Sequence, residues 1–270
     1  MVKTDVRVRN NVRERGRPDG PVLLFAHGFG CDQGMWRRIL PRFVDEYRVI
    51  LFDHVGSGGS DLDAYDAAKY SSIDGYADDI LEICEALDLH DVTLVAHSVS
   101  SMMALTAAAR APERLARLVL VAPSPAYIDD PATGYEGGFS AGDIEELLSS
   151  LDSNYLAWSA VMAPVVMGNA DTPDLGEELE ESFCRMSPVV ARGFARVTFL
   201  TDVRAILDRV SVPSLILQCA DDVLAPVSAG RFLHEALPGS ELVLMTATGH
   251  CPHVSAPTET ADAITAFLAA

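Results

Sequence analysis

Three polar residues stand where apolar runs of this 270-residue chain end, and together their types could perform acyl transfer. Ser98 follows VTLVAH, Asp222 follows LILQCAD, and His250 follows LVLMTATG. A serine hydroxyl is a poor nucleophile until an imidazole takes its proton, and the imidazole needs a carboxylate to fix its tautomer and stabilise its charged form. Around the serine the chain reads LVAHSVSSM, so Ala96 and Ser100 occupy the two positions where the nucleophile-elbow pattern G-x-S-x-G places glycine. Small side chains are needed there because the strand and the following helix pass closely, and alanine and serine are the next smallest choices. The competing role for Ser98 is a plain cap of the helix that begins at residue 99.

Acyl transfer also requires donors for a developing oxyanion. The turn HGFG at 27–30 follows the first long apolar run, and the backbone amides of Phe29 and Val99 are the candidates. Asp221 and Asp222 both close their strand, and either could be the carboxylate. The segment GHCPH holds a second histidine, His253, yet no further ligands cluster in sequence around it, so no metal site is expected. His97 should point away from the nucleophile and pack. Cys31 and Cys251 border the expected site without an obvious base to activate them.

The elements that must position these groups alternate. VLLFAHG (22–28) and YRVILFD (47–53) are continuous apolar runs of the kind strands covered on both faces require. A helix is expected near Trp36–Val44 and another from Asp74 through Leu87, with Tyr76, Ile80, Ile83, Cys84 and Leu87 on one face. VTLVAHS and LARLVLVAPS are strands around the helix that Pro112 ends. Residues 6–15, alternating around Asn10-Asn11, predict an edge hairpin ahead of them. Regularity lapses from about 126 to 200, where helical patches at 143–151, 154–163, 177–185 and 188–199 contain no strand. Strand, helix, strand, helix then resume from VPSLILQCADD to the end, so an open parallel sheet carries an all-helical excursion.

Bulk properties narrow the partners. Twenty Lys and Arg against 39 Asp and Glu give a net charge of −19, a field that repels phosphate backbones and anionic membranes. Nucleic acid and membrane are therefore not expected partners. The opening VKTDVRVRNNVRERGRPDG is charged where a secretory signal would be apolar, and the five cysteines are odd in number without metal-ligand spacing. A cytoplasmic protein with reduced thiols is the expectation.

Several stretches, HGFGCDQGMW, VILFDHVGSGGSDL, GYADDILEICEALDL, AHSVSSM, NYLAWSAVMAP and GHCPHVSAPTET among them, together resemble the RsbQ-like α/β-hydrolases of a bacterial stress sigma-factor pathway. They are also similar to the plant karrikin and strigolactone receptors of the same family. That family's elbow commonly reads GHSVS or GHSVG, so only Ala96 departs from it. The resemblance implies the α/β-hydrolase fold: a mostly parallel central sheet flanked by helices, with a helical lid inserted after the sixth strand. The core would comprise residues 1–125 and 201–270, and a four-helix lid 126–200. It implies Asp222 as the triad acid and His250, the first histidine of GHxPH, as the base. Phe29, Trp158 and Phe199 match pocket positions, and Met162, Phe139 and Phe194 are added to the lining by apolarity alone.

The expected function is a cofactor-independent serine hydrolase that opens an ester or lactone of a small hydrophobic ligand through an acyl-enzyme. Two alternatives share the residues: a receptor whose output is contact with a signalling partner, such as a sensor-domain phosphatase, and a cofactor-free haloperoxidase or perhydrolase.

Overall fold

A computed structural model of the chain describes residues 5–270. The apolar runs become a seven-stranded sheet: β1 (Arg13–Gly16), β2 (Val22–Ala26), β3 (Arg48–Leu51), β4 (Val92–His97), β5 (Leu115–Val121), β6 (Ser214–Asp221) and β7 (Ser240–Thr248). Their spatial order is β1-β3-β2-β4-β5-β6-β7; only β1 runs antiparallel to its neighbour. All six residues of β4 are buried, as a central strand covered on both faces must be.

The predicted hairpin at 6–15 does not form. Its first arm is a helical turn, α1 (Val6–Arg9), with Asp5 accepting a hydrogen bond from the Arg7 amide at its start. Only the second arm joins the sheet, so five strands precede the helical excursion, which follows the fifth strand and not the sixth. Long-range polar contacts decide this against the local alternation. The Asn10 amide, wholly buried, donates to the Asp53 carbonyl and to Asp79, while the Arg9 guanidinium lies 3.0 Å from the Asp79 carboxylate. Asp79 also takes Lys69 Nζ at 2.6 Å and the Tyr70 hydroxyl at 2.9 Å. Removing a fully buried carboxylate that serves two half-buried cations, the Asn10 amide and a buried tyrosine hydroxyl is destabilising, so Asp79→Ala should cost about 3 kcal/mol, seen as a lowered midpoint in urea unfolding.

The helices flanking the sheet are α2 (Ile73–Ala86), α3 (Val99–Arg110), and, past the excursion, α8 (Val227–Ala236), α9 (Pro252–Ser255) and α10 (Pro257–Ala269). The helix expected near Trp36–Val44 is instead a pair of 3₁₀ turns, Gln33–Arg38 and Leu40–Arg42, the second with Pro41 in its first turn. Between β5 and β6 come α4 (Ala141–Ser153), α5 (Tyr155–Met167), α6 (Pro173–Arg185) and α7 (Pro188–Leu200). Ser140 and Asp143 form a reciprocal capping box on α4, Asn154 caps α5, and proline opens α6 and α7, which is why four short helices succeed one another. Among the described residues no helix is long and apolar enough to cross a membrane.

Candidate active site

Ser98 sits between β4 and α3 with φ 57° and ψ −126°, a backbone region that L-residues avoid. Such a conformation persists only where the surroundings over-determine it. Here the Ser98 amide donates to the Val121 carbonyl of β5, the Ser101 amide donates back to the Ser98 carbonyl, and the Ser101 hydroxyl donates to the Ala96 carbonyl. The hydroxyl that replaces glycine at 100 is used: Ser100 Oγ donates to the His27 carbonyl at 2.5 Å and lies 2.8 Å from His54 Nε2. It ties α3 to the HGFG turn.

Asp222 begins the loop after β6, and both its oxygens are engaged. Oδ1 accepts from the Leu224 and Ala225 amides at 2.9 and 3.1 Å, and Oδ2 lies 2.8 Å from His250 Nδ1. The opposite ring nitrogen, Nε2, is 2.7 Å from Ser98 Oγ. All three side chains are buried, so water competes little for these bonds. Asp221, by contrast, is exposed and contributes its backbone carbonyl to the Gly249 amide. The three groups named from the sequence thus form one continuous hydrogen-bonded chain.

The histidine loop is held from above. Val166 near the end of α5 accepts the His250 amide at 2.9 Å, and Gly168 and Gly249, both at positive φ, let the two backbones pass. A Cβ on Gly249 would fall 1.8 Å from the Met167 carbonyl oxygen. On the other side of the serine, a Cβ on Gly28 would lie 3.1 Å from Ser98 Cβ, so the HGFG turn bears directly on the nucleophile. Neither the Phe29 nor the Val99 amide donates to a carbonyl outside its own element among the described residues.

Above Ser98 is a small, mostly apolar cavity. Phe29, Trp158, Met162 and Phe199 line it, with Ser98 and His250 at its floor. Phe29 is the hub, with ring centroids of Trp158, Phe183, Phe194 and Phe199 at 6.2, 5.9, 5.5 and 6.4 Å. Two residues expected in the lining are outside it. Phe194 forms a second layer, stacked on Tyr76 at 4.6 Å and edge-on to His54, because its face of α7 is claimed by the core. Phe139 is held in the loop before α4, where its backbone pairs with Tyr127 and Asp129, and it is only partly buried. Leu179 and Phe183 take part instead, a stripe of spacing four on α6 that the sequence does display. Tyr127 also lines the cavity, its hydroxyl 3.4 Å from Ser98 Oγ; it comes from an irregular loop with no periodic signal.

Cys31 and Cys251 border the cavity, and burial pushes both thiols well above the ordinary cysteine range, which removes the thiolate either would need as a nucleophile. Burial also holds four histidines neutral: His27 is lowered, His54 and His97 lie well below 6.5, and His253 falls to about 3. In the unfolded chain these imidazoles bind protons below about pH 6.5, while the folded state does not until lower pH, so the unfolded state gains protons first. Stability should therefore fall as pH drops below about 6.5 toward the folded values, so the melting midpoint should be nearly level from about pH 7.5 to 7 and decline from about 6.5 to 5.

A strained serine at a strand-to-helix turn, an acid after a later strand, and a histidine after the last strand define an α/β hydrolase. The chain belongs to the alpha/beta hydrolase family, whose model matches residues 23–263. It is 39% identical over 248 residues to a strigolactone esterase of Pisum sativum, covering 92% of each chain. It is 36% identical over 253 residues to a karrikin insensitive 2 receptor of Petunia hybrida, covering 93% of each. Among solved structures, a hydrolase from Oleispira antarctica superposes with a TM-score of 0.94 at 42% identity, covering 98% of this chain and 96% of that one. These relatives bear out the resemblance carried by the sequence motifs.

Proposed function

We propose that the protein is a serine hydrolase that cleaves an ester or lactone of a small hydrophobic ligand, with Ser98 as nucleophile, His250 as general base and acid, and Asp222 as orienter. The observation that carries this reading is the chain Ser98–His250–Asp222, at 2.7 and 2.8 Å, on the floor of a cavity walled by aromatic rings. His250 Nε2 takes the Ser98 proton as Oγ attacks the carbonyl carbon. Asp222 Oδ2 accepts Nδ1–H throughout and stabilises the imidazolium. The Phe29 and Val99 amides receive the oxyanion, and the imidazolium returns its proton to the leaving oxygen. Water then enters, loses a proton to His250 as it attacks the acyl carbon, and the imidazolium returns that proton to Ser98 Oγ as the acyl–Oγ bond breaks and the acid leaves. The four helices α4–α7 act as a lid over this cavity, excluding bulk water from the charged steps.

The class of ligand follows from the walls: rings and methionine offer dispersion and little hydrogen bonding, so a compact, mostly apolar ester or lactone fits best. Relatives that are a strigolactone esterase and a karrikin insensitive receptor support that class, and also favour a second role in which the liganded protein contacts a signalling partner. Intact-protein mass spectrometry after mixing with p-nitrophenyl butyrate tests the enzyme reading. An acyl adduct mapped to the Ser98 peptide is expected, and turnover without any adduct, or an adduct elsewhere, would overturn it. Size-exclusion of the protein with and without a lactone ligand in a lysate of its own source reads out the second role.

A further inference from the structure

Burying a histidine that takes no part in proton transfer needs an explanation, and His97 is such a residue. It is the last residue of β4, immediately before the nucleophile, and is buried. Its Nε2 lies 2.8 Å from the backbone carbonyl of His250, a residue 153 positions further along the chain. A carbonyl can only accept, so Nε2 carries the proton and Nδ1 is bare. Among the described residues Nδ1 has no partner, and Gly28 crowds it closely enough that a Cβ there would fall 2.6 Å away. An aliphatic side chain would fill this volume without the cost of that orphaned nitrogen. What the imidazole adds is the single bond to His250. Rings on the remaining sides hold it in place: His253 at 4.5 Å, His250 at 5.1 Å and Trp36 at 6.4 Å between centroids.

We propose that His97 is a positioning residue that locks the backbone of His250 to the nucleophile's own strand. It rests on the assignment of Ser98 and His250 made above. The loop carrying His250 is held to α5 through the His250 amide and Val166 and to β6 through the Gly249 amide and Asp221, so the carbonyl bond from His97 is its direct tie to the strand that presents Ser98. With that tie, the distance between base and nucleophile is set within the core. Without it, the imidazole is placed by α5, β6 and Asp222 and loses its direct register to the strand of Ser98.

The test compares His97→Leu with His97→Gln, whose amide nitrogen can reach the place of Nε2, using p-nitrophenyl acetate turnover and the rate of fluorophosphonate labelling. Misplacement of a reacting group by about 1 Å can cost ~10²-fold, so His97→Leu should lose about 30- to 100-fold in kcat and labelling rate while KM stays within about threefold. His97→Gln should recover most of that loss. Equal activity in His97→Leu and wild type would overturn the proposal, and so would equal losses in both variants that track a lowered melting midpoint. Should neither variant fold, ¹⁵N-histidine NMR of the wild-type protein decides: a protonated, slowly exchanging Nε2 on His97 is expected, and an Nδ1–H tautomer refutes the bond. Ser98→Ala run alongside separates the two readings, because turnover surviving in that control defeats the triad assignment whatever His97 does.

Discussion

Ser98→Ala should abolish hydrolysis and fluorophosphonate labelling while leaving the melting midpoint of the protein almost unchanged. The hydroxyl touches His250 Nε2 at 2.7 Å and Tyr127 at 3.4 Å, so its loss removes the nucleophile and little packing. Alanine inherits the same positive φ, which the bonds from the Ser98 amide to Val121 and from the Ser101 amide to the carbonyl at 98 still impose. In serine hydrolases generally, removing the nucleophile costs on the order of 10⁶-fold in kcat, and a residual rate over water survives from the oxyanion donors and binding alone. A steady-state assay with p-nitrophenyl butyrate, in parallel with differential scanning calorimetry, reads both halves of the expectation. Wild-type turnover in the folded variant would mean that acyl transfer does not pass through this residue.

Asp222→Asn should be nearly as damaging, for a different reason. The carboxylate divides its oxygens: Oδ1 holds the loop through the Leu224 and Ala225 amides, and Oδ2 accepts the Nδ1 proton of His250. Asparagine can serve the loop amides with its carbonyl oxygen, but it then presents NH₂ to the imidazole. His250 answers by accepting at Nδ1, which places its proton on Nε2, where it can no longer deprotonate Ser98. A tautomer error of this kind costs ~10⁴-fold in kcat while the geometry stays intact. Asp221→Asn is the matched control, since that side chain is exposed and only its backbone carbonyl is engaged. A kcat for Asp222→Asn within tenfold of wild type, or a collapse in Asp221→Asn instead, would exchange the roles of the two aspartates.

Much of this is legible in the sequence. The strands 22–26, 92–97 and 214–221 are fully apolar over most of their length because both faces are covered, and a polar residue at the end of such a run is conspicuous. The helix at 99–110 and the four between β5 and β6 follow from period and caps. Where the reading failed, a non-local contact had outweighed a local pattern. The alternation around Asn10-Asn11 looks like a hairpin, yet Asn10 is drawn into the core by Asp53 and Asp79, more than forty residues away. Phe194 is as apolar as Phe199, but five residues apart on α7 they project to different sides, Phe194 onto Tyr76 and His54 and Phe199 into the cavity.

The amino-acid sequence alone determined the alternation of strands and helices from residue 47 onward, the acidic charge, and which serine and histidine follow apolar strand runs, because these depend on periodicity and neighbouring residue type. Tertiary structure decided which aspartate meets the histidine, which rings wall the cavity, and that His97 grips the His250 backbone. Those depend on distances between segments far apart along the chain, set when the parallel strands bring their carboxyl ends to one edge of the sheet.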